Sequence, residues 1–149
     1  MLQPFDDAYF MKKALHEAEA AFEKGEVPIG AVVVCKNQII ARAHNLTEAL
    51  NDVTAHAEMQ AITAASNFLG GKYLQNCTLY VTLEPCQMCA GALYWSQISK
   101  IVYGAKDEER GYTTLNTKLH PKTEIIGGIM AEEASQLLKR FFIEKRNLN

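Results

Sequence analysis

Thr78-Leu79-Tyr80-Val81-Thr82-Leu83-Glu84-Pro85-Cys86-Gln87-Met88-Cys89-Ala90-Gly91-Ala92 holds a strand, a turn and a helix start in one line of sequence. Thr78 to Leu83 is short, β-branched and aromatic, the composition of a strand. Glu84-Pro85 stops it, and a proline suits the first turn of a helix, where its missing N–H has no partner to lose. The following helix is predicted to run to about Ser96. Cys86 and Cys89 stand at i and i+3, so they share a helix face and can reach one ion. Near a helix N-terminus both thiols feel its positive end, which favours the deprotonated, metal-binding form.

Working outward, Phe10, Met11, Ala14, Leu15, Ala18, Ala21 and Phe22 form one helical face that ends at Gly25. Ile29 to Cys35 and Gln38 to Ala43 read as a hairpin across Lys36-Asn37. A second helix is predicted from about Thr54 to Phe68, closed by Gly70-Gly71. After the cysteine helix come a strand over Ile98 to Tyr103, a long polar loop, a short strand over Glu124 to Ile126, and a helix over Glu132 to Lys145. Strands alternating with helices place helices on both faces of a sheet. The predicted class is therefore α/β, a three-layer α/β/α domain around a central mixed sheet of about five strands.

The 149 residues, 48% of them apolar, are enough for one domain, 1–149, with a full core. Met1 to Asp7 lacks the basic and apolar regions of an export signal. The apolar runs are far shorter than the ~20 residues of a membrane span. Four cysteines, two of them in a metal pattern, fit a reducing compartment better than a disulfide scaffold, so the expected location is the cytoplasm.

His56-Ala57-Glu58 lies at the start of the second helix. One imidazole and two thiolates can hold a zinc ion and leave its fourth position for a water or hydroxide, the mark of a catalytic rather than a structural site. Glu58, a carboxylate outside the ligand set, can then serve as acid and base. Two residues turn a helix by ~200°, so His56 and Glu58 can face one point only if the helix end itself faces the metal. A closed structural zinc would need a fourth ligand, with Cys35, Cys77, His44 and His120 as candidates, but no second metal-binding pair has the usual spacing. A thioredoxin-like redox role would leave His56 and Glu58 without a task. Cys35 reads as a buried strand thiol, Cys77 as a thiol just before a strand, His44 as the end of a strand, and His16 as solvated.

His-x-Glu combined with Pro-Cys-x-x-Cys is the signature of zinc nucleobase deaminases. The chain further resembles bacterial tRNA-specific adenosine deaminases in Glu26-Val27-Pro28-Ile29-Gly30-Ala31-Val32-Val33-Val34, in Thr54-Ala55-His56-Ala57-Glu58-Met59, and in Leu79 to Ala92. The resemblance runs from Tyr9 to Arg146 and implies a cytidine-deaminase-like fold, a homodimer, and conversion of adenosine to inosine at the tRNA wobble position with release of ammonia. By position it implies one zinc per subunit on His56, Cys86 and Cys89, with Glu58 as proton shuttle. It also implies that Asn45 contacts the target nucleoside and that backbone around Ala57 and Glu84-Pro85 lines the base pocket. The same resemblance makes Lys106, Asp107, Arg110 and His120 candidate RNA contacts.

The metal motif is shared with deaminases of free guanine and cytosine, which stay open as alternatives. A zinc- or RNA-binding module without catalysis would leave Glu58 idle. A tRNA enzyme needs basic surface for phosphates, whereas the net charge is −2 and the pI about 6.1. Lys139, Arg140, Lys145 and Arg146 around Phe141-Phe142 offer either a basic patch or a solvated helix face over an aromatic anchor. Glu108-Glu109-Arg110-Gly111-Tyr112-Thr113-Thr114-Leu115-Asn116 departs from the small-residue loop usual in the family. Its carboxylates repel phosphate, while Arg110 and Tyr112 can grip or stack. Tyr94 and Trp95 read as core or dimer contacts.

Overall fold

A computed structural model describes residues 5–147. Met1 to Pro4, part of the segment read for an export signal, lies outside the described residues. The elements are α1 (Asp7–Glu23), β1 (Gly30–Cys35), β2 (Gln38–His44), α2 (Ala57–Leu69), β3 (Cys77–Leu83), α3 (Gln87–Ser96), β4 (Lys100–Ala105), β5 (Glu124–Ile126) and α4 (Ala131–Asn147). They form a five-stranded sheet in the order β2-β1-β3-β4-β5. β1 runs antiparallel to β2 and β3, whereas β3, β4 and β5 are parallel, so the sheet is mixed as expected.

Period-two alternation sends the central strands into two cores. Ala31, Val33, Leu79, Val81 and Ile101 meet Ala57, Ala61 and Ala65 of α2 and Leu93 of α3. Val32, Val34, Tyr80 and Val102 meet Phe10, Met11 and Ala14 of α1 on the opposite face. α4 joins that second layer, where Ala134 packs near Leu15 and Phe141 stacks edge-on against Phe22 at 5.7 Å. The three-layer architecture follows from these two apolar faces. The β1–β2 hairpin turns at Lys36 and Asn37, both left-handed (φ 52° and 61°), the pair of conformations that matches strand twist.

Some boundaries differ from the expectations, each for a local reason. α2 starts at Ala57 rather than Thr54 because Asp52 Oδ1 accepts hydrogen bonds from Thr54 N (2.8 Å) and Thr54 Oγ1 (2.7 Å), folding that segment into a turn. β4 starts at Lys100, two residues late, because α3 ends at Gln97 in a left-handed conformation and Ser96 Oγ accepts from Ile98 N. Pro85 precedes the cap residue Cys86 instead of opening the helix. Cys77 is the first residue of β3, paired opposite Cys35, and Cys35 is only partly buried at the end of β1.

Gly30 sets how closely α1 approaches the sheet. A Cβ there would run into Ala14 O and Ala18 N of α1, with Glu17 Cβ at 2.8 Å. Backbone atoms cannot rotate away, so Gly30→Ala is expected to cost about 3 kcal/mol through overpacking. In a chain of this size that lowers Tm by about 6–12 °C. An unchanged melt would mean that α1 can lift off β1 without loss.

Candidate active site

His56 and Cys86 occupy equivalent places: each is the N-cap of its helix, with extended backbone and no side-chain capping bond. α2 and α3 touch, so the two caps bring their side chains to one spot, and Cys89 joins them from the first turn of α3. His56 Nδ1 lies 3.5 Å from Cys89 Sγ and 3.7 Å from Cys86 Sγ. Zinc bonds of ~2.3 Å to sulfur and ~2.05 Å to nitrogen at tetrahedral angles would separate N from S by ~3.6 Å. The donor set therefore fits a tetrahedral ion. All three donor atoms lie within 4.8 Å of one another, and no second such group occurs among the described residues. Cys35, Cys77, His44 and His120, the candidates for a closing fourth ligand, are not part of it.

The three donors act on one another's protons. A hydrogen bond from Cys89, then His56, holds the Cys86 thiol down to about 4. The Cys86 thiolate and burial together push Cys89 far upward, and the same thiolate raises His56. A dication held by the three donors would favour the deprotonated form of both thiols.

Glu58, 4% exposed, sits in the first turn of α2 without belonging to the donor set. Burial pushes its carboxyl up to about 7, aided by the charge on Cys86. It lines a cleft of about 660 Å³ together with His56, Cys86, Asn45, Glu84 and Arg110. Asn45 is buried, and its Oδ1 accepts from Ala57 N at 2.8 Å, so it ties β2 to the start of α2. That bond engages the Ala57 amide and leaves the Asn45 amide donors for other partners.

The profile of the MafB19-like deaminases matches residues 5–148. The chain belongs to that deaminase family. It is 49% identical to the tRNA-specific adenosine deaminase of Aquifex aeolicus (strain VF5), an alignment covering 93% of this chain and 95% of that one. A solved structure from a study of A-to-I editing by tRNA:A34 deaminases is 42% identical, with a TM-score of 0.82 over 87% of this chain and 99% of the other. The guanine deaminase of Bacillus subtilis is 38% identical, with a TM-score of 0.63 over 72% of this chain and 66% of its own. With these likenesses the cytidine-deaminase-like architecture expected above is the architecture of this deaminase.

The deaminase places its candidate RNA contacts unequally. Lys106, Asp107 and Arg110 all line the cleft. Lys106 Nζ is occupied, 3.1 Å from Thr113 Oγ1 and 3.9 Å from Glu84 Oε1. Asp107 Oδ1 accepts from the amides of Glu109 (3.1 Å) and Arg110 (3.0 Å), so its carboxylate shapes the turn. Arg110 is exposed. His120 does not line the cleft; it packs against Tyr94 at 5.5 Å and accepts from Lys122 N through Nδ1.

Three features in or behind the cleft wall cannot be read from the sequence. Glu26, 1% exposed, accepts from Glu48 N (3.0 Å) and Ala49 N (2.8 Å) and so braces the loop after Asn45. Thr113 donates to Glu84 through both its amide (3.1 Å) and its hydroxyl (2.6 Å). Leu138 and Phe142 of α4 form part of the wall. No local pattern marks the carboxylates as braces, because their donors lie more than 20 residues away. In the C-terminal patch, Arg140 lies 4.5 Å over the Phe22 ring and Lys145 5.6 Å over Phe141, the arrangement of cations on an aromatic anchor.

Proposed function

We propose that the chain is a single zinc-dependent deaminase domain, 1–149, that hydrolyses the C6 amine of adenosine at the tRNA wobble position to give inosine and ammonia. The observation that carries the chemistry is a buried, non-ligating carboxylate, Glu58, beside a three-donor metal group in an open cleft. The substrate follows from the near full-length likeness to tRNA-specific adenosine deaminases. One zinc on His56, Cys86 and Cys89 would supply a water acidified to near neutral pH. Glu58 would accept a proton as the water oxygen bonds to C6 and deliver it to N1, then take the proton of the new C6 hydroxyl and pass it to the amine, which leaves as ammonia while C6=O forms. The carboxylate ends as it began. Asn45 Nδ2 holds the nucleoside at the mouth, the backbone at Ala57 and Glu84-Pro85 flanks the base, and Arg110 neutralises phosphate.

The compartment and assembly belong to the same reading. Four free cysteines suit the cytoplasm, and among the described residues no helix is long and apolar enough to cross a membrane. Trp95, 77% exposed on α3, suits a homodimer contact. Glu108 and Glu109 at the cleft favour a second reading, a free guanine deaminase, which the Bacillus subtilis likeness also supports.

The deciding assay is inosine formation at the wobble adenosine of an arginine tRNA transcript with zinc-loaded protein. Inosine is expected. Ammonia from guanine or cytosine with no change in RNA would overturn the tRNA reading. On the anticodon stem-loop, Arg110→Ala should weaken binding and reduce the slope of log affinity against log salt by about 1. An unaltered slope would remove Arg110 from the phosphate contacts.

A further inference from the structure

Glu84 is 2% exposed, yet no step above uses its carboxylate. All its partners come from one loop. Oε1 accepts from Asp107 N at 3.1 Å and faces Lys106 Nζ at 3.9 Å. Oε2 accepts from Thr113 N (3.1 Å) and Thr113 Oγ1 (2.6 Å). The loop also bonds to the metal turn directly, through Tyr112 N to Pro85 O at 2.9 Å and a bridge between Cys86 and Gly111. A Cβ at Gly111 would come within 2.5 Å of Glu84 Cδ and Oε2, so the loop closes on the carboxylate with no room to spare.

This arrangement resists opening. A buried carboxylate is stable only while its donors stay in place, so moving the loop away strands a charge beside the metal turn. The loop carries Glu108, Glu109 and Arg110 along the cleft that Glu58 and His56 also line. We propose that Glu84 is a positioning residue that holds the 106–113 loop in the conformation that grips the RNA strand, and so governs RNA engagement rather than the chemistry on the base. The proposal rests on the tRNA reading above.

The test uses the zinc-loaded 149-residue chain and an anticodon stem-loop. Glu84→Gln keeps the shape but sets an NH₂ against amide donors, because both carboxylate oxygens accept. Thr113→Val removes one donor at constant volume, and Thr113→Ser restores it. For Thr113→Val, KM should rise about tenfold, as for a lost hydrogen bond to a charged group, while kcat falls less than about threefold. Thr113→Ser should return KM to near the wild-type value. In Glu84→Gln, amide exchange at Asp107 and Thr113 should accelerate at unchanged zinc content. A fall in kcat at constant KM, loss of zinc, or a serine variant that fails to restore KM would each overturn the proposal. Wild-type protein inactive on RNA would overturn the tRNA reading and this role together, whereas active wild type with unaffected variants would overturn this role alone.

Discussion

Glu58→Gln should keep its metal and lose about 10⁴-fold in turnover, the upper range for removing a general acid–base group. The glutamine fits the space, because Glu58 is almost wholly buried and outside the donor set. What it lacks is the ability to take a proton and return it. In the proposed cycle one carboxylate carries every proton transfer, so its loss interrupts each of them. Metal analysis beside a single-turnover inosine assay separates the outcomes. Full zinc content with collapsed turnover supports the shuttle. Zinc lost in proportion to activity would make Glu58 a ligand, and retained turnover would pass the proton work to another group.

The donors that the fold gathers into one candidate metal group, His56, Cys86 and Cys89, could be picked out in sequence because such a group needs fixed residue types at short spacing. The constraint that the helix end must face the metal also followed from helix geometry, and His56 and Cys86 are both caps. The central strands were legible because period-two alternation writes both cores into Ala31 to Val34 and Leu79 to Val81. The boundaries that slipped depend on side chains bonding to nearby backbone, as Asp52 does to Thr54 and Ser96 to Ile98. Glu26 and Glu84 sat in recognisable segments, yet their work was invisible there. A carboxylate's burial and its distant donors are properties of the fold, so the string shows an acidic residue and nothing of its partners. The net charge of −2 averages over a surface and does not describe the cleft, where Lys106 and Arg110 stand beside Asp107, Glu108 and Glu109.

Removing the metal should abolish deamination and leave the fold standing. Chelation takes away the acidified water, and Glu58 alone cannot bring a neutral water to attack C6 at a comparable rate. The two cores do not depend on the ion: α2 packs through Ala57, Ala61 and Ala65, and α3 through Leu93, all onto the sheet. Those contacts involve neither Cys86 nor Cys89, so they persist when the ion leaves. Far-UV circular dichroism should therefore change little on chelation, activity should vanish, and stoichiometric zinc should restore it. Apparent stability should rise again with zinc, since a ligand that binds only the native state adds RT ln(1 + [L]/Kd). Loss of secondary structure on chelation would instead mark a structural zinc, whose binding energy is its folding energy. Activity that survives chelation at full metal depletion would detach the chemistry from His56, Cys86 and Cys89 altogether.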